Sequence, residues 1–513
     1  MPVIDLKKVS SGIVKHADFC IVGYGAIGIP IASEILKHNK SVIIIEAGPM
    51  DPVLGNEIGV YSNFSDAEYL GSNKGRYFGV GGSTGRWGGA LGIPEKDHTD
   101  NLYGADIWKH ITETTERNYK YVLNSIGVHQ DLDFKELAYR RFAKFNAGTK
   151  DLGIDLSCVY NLPFAKRNFS KSIFDNIRKS PKFSLIYNSV LTSFDLKKSG
   201  DLKIQSFKAK SINSNELTII ADKFIIAAGA IESARILLEL DNHLEGTLYN
   251  KSYKPGDQFT DHLSTKVGAI INQDLSKAKY WFSPFFLNSA ICNFRFFKRD
   301  SSKITNRGFF HFIVDSEAIG LSYLKDYFSK IQRGKKANPL NKNLLIALID
   351  LIYIGFFKIF FKRLVLPKTS NINLHLDIEQ SPINKNSFSL SNELDVYGRN
   401  KLIINWKISS DDVKQLKALA NDFVSSWNRL PLSFPKIHLS DIDISTKKIF
   451  DAYHPVSTCK IGKVGYSALD ENLKVHQLEN LWVYSTGVLP SAGYVNPTFT
   501  ALCISYASLK GII

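Results

Sequence analysis

An α/β fold in two lobes, assembled from pieces discontinuous along the chain, is what this 513-residue sequence predicts, and three observations carry it. A short apolar run, Asp18 to Val22, stops at Gly23 and leads through Gly23-Tyr24-Gly25-Ala26-Ile27-Gly28 into the helical stretch IPIASEILKHN. A second apolar run, Ser41 to Ile45, ends on Glu46. Much later Phe224 to Ala230 (FIIAAGA) repeats the pattern of a buried strand running into a helix, IESARILLEL. Strands buried on both faces of a parallel sheet read as unbroken apolar runs. Strand, glycine turn, helix and strand within about 30 residues is therefore a Rossmann-like unit.

The remaining elements follow in order. Residues 71–92, GSNKGRYFGVGGSTGRWGGALG, form a glycine-dense loop, and 104–126 has a helical pattern. From 182 to 221 short strands alternate with turn residues. Residues 268–440 are less regular and rich in aromatics, whereas 449–513 is compact, with a strand at Leu481–Tyr484 and a helix after Pro497. The expected division gives one lobe residues 1–95, 181–265 and 449–513. Residues 96–180 cover the cofactor and belong mostly to the other lobe, and 266–448 build that second, α+β substrate lobe.

Composition narrows the class. Hydrophobic residues at 44% and charged residues at 22% are those of a globular chain, not a disordered or fibrous one. Five cysteines, an odd number with no CxxC, favour a reducing, cytoplasmic setting over a disulfide framework or zinc ribbon. The N-terminal stretch shows no apolar signal core, so none is expected. A net charge of +15 suits an anionic partner. Nucleic acid is not expected, for no recognised binding module is present.

The glycine turn points to a dinucleotide. Gly23 permits the tight turn, Gly25 lets backbone approach a pyrophosphate at the helix N-terminus with Ala26 next to it, and Gly28 lets helix pack on strand. Glu46, 18 residues beyond Gly28, is placed to accept from both ribose hydroxyls, which disfavours a 2′-phosphate. FAD is preferred to NAD because further small-residue segments surround the site. These are Ala228 and Gly229 after the second strand, and Gly81, Gly82, Ser83, Arg86, Trp87 and Gly88 in the loop, where free N–H groups can cradle an anion.

The C-terminal segments DAYHPVSTCKIG (451–462) and NLWVYSTGVLPSAGYVNPTFTA (480–501), with GDQFTDH at 256–262, bring these motifs into the order found in a known family. The chain resembles the glucose–methanol–choline (GMC) flavin oxidoreductases, nearest to the sugar-oxidising members. That resemblance implies FAD, with His454 as the base facing the flavin and Asn496 as its catalytic partner. It also implies cofactor contacts from Ser485, Thr486, Gly487, Asn496, Pro497 and Thr498. Asn496-Pro497 reads equally as a plain helix cap, and the two readings are compatible. Some members join a loop histidine covalently to the flavin. Arg86 stands there, so FAD is expected to be non-covalent, with Arg86 on a phosphate, on substrate or in solvent. Where members carry an acid, this chain has Ser485. Asp261-His262 matches a family pair and is read as structural. His311, His375 and His438 have no metal-ligand spacing, and no catalytic metal is expected.

One stretch lies outside this scheme. From Lys325 to Ser370 there are ten basic and two acidic residues around NLLIALIDLIYIGFFKIFFKRL. A bilayer span is rejected because Asp350 and Lys358 are internal, and because one span would separate Gly23 from His454. On a helical wheel Asn343, Ala347, Asp350 and Lys358 form a narrow stripe. The helix, near 343–363, is either an interfacial element on the inner face of a membrane or a buried core or dimer helix.

The expected activity is oxidation of an alcohol carbon, on a sugar or glycan precursor, with an unidentified electron acceptor and no stated oligomeric state. The alternatives are an FAD-containing lyase or isomerase of the same family, or an idle FAD-binding assembly protein.

Overall fold

The computed structural model describes residues 3–99, 104–129, 132–146, 149–199, 201–249, 252–299, 306–336, 342–382, 385–440 and 448–513. Two sheets organise it. The first has eight strands. At its centre Ile13–Val22 lies parallel between Val42–Ile45 and Glu216–Ile226, and Leu481–Val483 adds a parallel strand beside Ile226. Phe183–Tyr187 extends it on the far side of Val42–Ile45, followed by Val3–Asp5. The opposite edge is an antiparallel ribbon, Val190–Ser199 with Asp201–Lys210. Cys20, Ile21, Ile44, Phe224, Ile225 and Ile226 are wholly buried, as runs without polar alternation require. The first central strand starts five residues earlier than expected, at Ile13, and a short strand precedes it.

The second sheet is antiparallel, in the order Ile437–Leu439, His262–Ile270, Thr369–Glu379, Gly308–Ser316, Ala290–Lys298, Ile154–Asn161, Ala90–Leu91. Here Ala290–Lys298 alternates most clearly between more and less buried positions. Phe296, Phe310 and Phe312 point to the helix Ser410–Asn428, where Phe310 stacks on Phe423 at 3.9 Å and Trp427 meets Phe296 at 5.4 Å. Ser409 and Asp412 close a capping box at the start of that helix. The intervening residues Arg295, Phe297 and Phe309 face the other way, toward Asn496. One face thus packs on the helix, while the other brings Arg295 and the buried rings of Phe297 and Phe309 toward Asn496. Ala90–Leu91 and the first four residues of His262–Ile270, expected in the first lobe, join the second sheet.

The basic apolar stretch forms a helix, Lys342–Phe356, continued by a wider turn at Phe357–Phe361. No helix among the described residues is long and apolar enough to cross a membrane.

Candidate active site

Between the sheets lies a cavity of about 590 Å³. Its floor is the glycine turn, Val22 to Ile27, and its walls include Glu46, Gly82 to Thr84, Arg86 to Gly88, Ser189, Ala227 to Glu232, Ser485, Thr486 and Thr498. His454 and Asn496 meet at one end. The helix Gly28–Lys37 begins at this turn, so its positive end faces the cavity.

The walls suit a dinucleotide. Gly23 has φ +98°, and a Cβ there would lie 2.6 Å from the Ala227 carbonyl oxygen. At Gly25, which lines the cavity, a Cβ would meet no protein atom within 4 Å and would take up ligand space. The Ser189 hydroxyl is buried on the wall without a protein partner, leaving a polar contact for an incoming group.

Other expected contacts are placed differently. Gly28 does not reach the cavity: its missing Cβ spares a 2.1 Å clash with the Gly23 carbonyl oxygen. Gly81 (φ +102°) is packed against Asn168 and Ser170, and Gly487 against the Thr458 hydroxyl, so both shape the backbone behind the wall. Pro497 opens the last helix without lining the cavity. Ser485 lines it, but its hydroxyl accepts from the Gly487 N–H at 3.2 Å. Glu46 sits where expected, yet its oxygens already accept three backbone N–H bonds, from Tyr24, Gly48 and Gly79. Burial pushes its carboxyl up against the pull of those bonds. Arg86 is exposed, donates to the Pro52 carbonyl at 3.3 Å and covers the Tyr77 ring. Trp87 and Gly88 line the wall, and the Trp87 indole donates to the Arg167 carbonyl.

His454 follows the short strand Phe450–Asp451 and a left-handed Tyr453, φ +61°. Its backbone N–H donates to the Asp261 carboxylate at 2.9 Å, which also accepts from the His262 N–H and the Tyr69 hydroxyl. Ring contacts then fix the tautomer. His262 Nε2 lies 3.0 Å from the Gly493 carbonyl, which can only accept, so that nitrogen carries the hydrogen. In the neutral ring Nδ1 of His262 is then an acceptor, and His454 Nδ1, 3.1 Å away, must donate to it. This leaves His454 Nε2 as the acceptor, 3.0 Å from Asn496 Nδ2.

Burial lowers both imidazoles, His262 to about 4 and His454 to about 3, the latter helped by His262 and Arg295. Both rings are neutral near pH 7. Asn496 occupies the N-cap position of Pro497–Lys510 but makes no cap bond with its side chain. It turns to His454, and its Oδ1 is buried without a protein partner.

Asp261 and His262, read from sequence as structural, thus stand directly behind His454. Together with it they form the one cluster of metal-ligand type among the described residues, with the relevant atoms within 4.8 Å. Those atoms are already engaged in the hydrogen bonds above. Sequence reasoning also missed Arg76, Glu232 and Arg399, which line the cavity as well. Burial would raise the Glu232 carboxyl, but Arg399, Arg235 and Arg76 outweigh it and hold it at about 2. Arg399 bonds Glu232 and Glu239, tying the helix Gly229–His243 to the 387–405 hairpin. The signal for His262 was present in the Asp-His pair; the arginines carried none.

Fold and cavity define an α/β protein with a cavity of dinucleotide size and a polar corner at His454 and Asn496. A family model described as GMC oxidoreductase matches residues 382–505. It is 22% identical over 357 residues to a pyranose 2-oxidase of Tricholoma matsutake, covering 66% of this chain. The aligned region is 55% of that relative, so the chain spans about half the length of the curated protein it matches. Among solved structures, pyridoxine 4-oxidase from Mesorbium loti superposes with a TM-score of 0.60 at 16% identity, covering 96% of this chain and 99% of that one. A formate oxidase of Aspergillus oryzae RIB40, in a structure concerned with FAD modification, gives 0.55 at 14%, covering 98% and 99%. These likenesses establish the shared fold.

Proposed function

We propose that this chain is an FAD-dependent oxidoreductase acting on a CH–OH group, with a sugar or glycan precursor as substrate and FAD held without a covalent bond. The observation that carries the reading is the unprotonated Nε2 of His454 beside the unpartnered Oδ1 of Asn496, both at the end of a dinucleotide-sized cavity. The pyranose 2-oxidase relative favours a sugar. Arg86 at the loop position where some relatives attach flavin through histidine favours non-covalent binding.

FAD, when bound, supplies the two-electron acceptor for hydride leaving the carbinol carbon. The glycine turn and the N-terminus of Gly28–Lys37 would hold its pyrophosphate, and Ser189 and the Glu46 corner its adenosine end. His454 Nε2 accepts the hydroxyl proton of the substrate as the hydride departs. Asn496 positions the same oxygen, through Nδ2 as donor or Oδ1 as acceptor. His262 receives the Nδ1 hydrogen of His454 and so keeps the accepting nitrogen pointed at the substrate. The low basicity of His454 keeps the ring unprotonated in the resting enzyme.

The test is anaerobic mixing of the yellow holoenzyme with a panel of sugars and nucleotide sugars, following loss of flavin absorbance. Wild type should bleach with at least one of them, and His454→Ala should retain FAD yet bleach at least about 100-fold more slowly. Equal bleaching by the variant would remove His454 from the reaction.

A further inference from the structure

We propose that the helical hairpin formed by Ile319–Gln332 and Lys342–Phe361 docks the enzyme on an anionic lipid surface. The second helix is inside out. Ala347, Asp350 and Ile354 form its buried side, and Asp350 accepts from the Gly320 N–H at 3.2 Å. The large apolar residues point to solvent: Ile349 is 80% exposed, Ile352 63%, Ile359 64% and Phe360 69%, with Leu348, Phe356 and Phe361 beside them. Their spacing of three and four residues makes one continuous ridge. Of the stripe expected on the helical wheel, Ala347 and Asp350 pack inward, the reverse of an ordinary surface helix, whereas Lys358 is exposed.

Charge identifies the occupant. Lys358 and Lys362 are exposed on the ridge itself, and Arg333, Lys335 and Lys336 are exposed at the end of the partner helix. From Lys325 to Ser370 the two acids are neutralised locally, Asp326 by Lys330 and Asp350 by Lys368. In a two-fold dimer through this ridge the same cationic surface would meet its own copy. An anionic bilayer supplies the missing negative charge and a medium for the apolar side chains, while lysine stems reach back to the headgroups.

The hairpin is also tied to the catalytic cavity. Phe328 stacks on Phe164 at 4.8 Å. Gln332 donates to the carbonyls of Thr84 and Trp87, two residues of the cavity wall. A membrane held on the ridge would therefore sit at a fixed orientation to the site, suited to a substrate or electron acceptor that travels in or on the bilayer.

Flotation of the holoenzyme with vesicles of phosphatidylcholine alone, and of phosphatidylcholine mixed with phosphatidylglycerol, tests this without turnover. Wild type should float with the mixed vesicles, weakly with the neutral ones, and less as salt rises. The variant Ile349→Glu/Ile352→Glu/Phe360→Glu should stay in the soluble fraction. Lys358→Gln/Lys362→Gln should weaken binding to mixed vesicles by about 30-fold. Should the triple variant fail to fold, judged by FAD content and melting temperature, the lysine pair carries the test. Wild type remaining soluble with mixed vesicles would overturn the proposal, as would unchanged flotation of the variants. A wild-type dimer by light scattering that the triple variant dissolves would give the ridge to a second copy instead.

Discussion

Replacing His262 with leucine should leave the cavity intact and slow the chemistry. In the native arrangement His454 Nδ1–H donates to His262 Nδ1 at 3.1 Å, and His262 is buried in turn against the Gly493 carbonyl at 3.0 Å. Leucine offers no acceptor. An N–H buried without a partner costs about 1–3 kcal/mol. His454 can escape that cost by moving its hydrogen to Nε2, the nitrogen that accepts the substrate proton in the proposed reaction. Placed wholly on the tautomer balance, the penalty lowers the productive ring population by about 5- to 160-fold. The reduction rate at saturating substrate should fall by a comparable factor, with FAD content and substrate affinity nearly unchanged. Anaerobic stopped flow measures the rate. Nitrogen-detected NMR of the histidine rings reads the tautomer directly, with His454 carrying hydrogen on Nδ1 in wild type and gaining population on Nε2 in the variant. A wild-type rate in His262→Leu, or a native His454 already protonated on Nε2, would refute the chain of donors from His454 to Gly493.

Two further expectations rest on particular residues. Gly25→Ala adds a Cβ that meets no protein atom, whereas Gly28→Ala puts one 2.1 Å from a carbonyl oxygen. The first should fold with an unchanged melting temperature but bind FAD poorly, and the second should lose stability by several kcal/mol in denaturant titration. Glu379, buried against the Gly493 N–H at 3.2 Å, has its carboxyl raised by burial to about 7. Between pH 4.5 and 7 the folded state therefore holds a proton that the unfolded chain has lost, and this contribution falls as pH rises. The buried His262, lowered to about 4, works oppositely: from 6.5 down to 4 the unfolded chain binds the extra proton, so stability rises with pH. Glu379→Gln removes the opposing carboxyl, and the pH slope of unfolding free energy from 4.5 to 6.5 should steepen by up to about 1.4 kcal/mol per unit. An unchanged slope would mean that Glu379 is ionised in the fold.

The glycine turn was legible because its requirements are local. A turn with φ +98° at Gly23, open space at Gly25 and the close approach of Gly28 to the Gly23 carbonyl each demand glycine within six consecutive positions. His454 and Asn496 were legible as candidates for a different reason: motif order marked them, although nothing in the chain nearby forces them together. What joins them is the second sheet. His262 is placed by pairing with Glu379 and lies 192 residues from His454, so its ring contact depends on register and on the course of the 452–456 loop. No local pattern encodes such a contact, and the Asp-His pair could only be read as structural. Glu46 shows the converse. Its position at the strand end was predictable, but the use of its oxygens depends on Gly79, 33 residues away.

The helix at Lys342–Phe361 shows where periodicity itself stops deciding. A wheel separates Asp350 and Ala347 from the large apolar residues, but it cannot say which side is covered. Ordinarily the cost of burying a carboxylate would settle the question in favour of the apolar face. Here Gly320 reverses it. The absence of a side chain lets the two helices approach so closely that a Cβ at Gly320 would lie 2.7 Å from the Asp350 Cβ, and its N–H supplies the carboxylate with a donor. Lys368, 3.5 Å from the other oxygen, contributes the countercharge from outside. With its partners supplied, the acid can turn inward, and the apolar ridge is left facing out. Gly320→Val should therefore push the helices apart and unseat Asp350, and loss of vesicle binding in that variant with retained FAD would tie the ridge to this one contact.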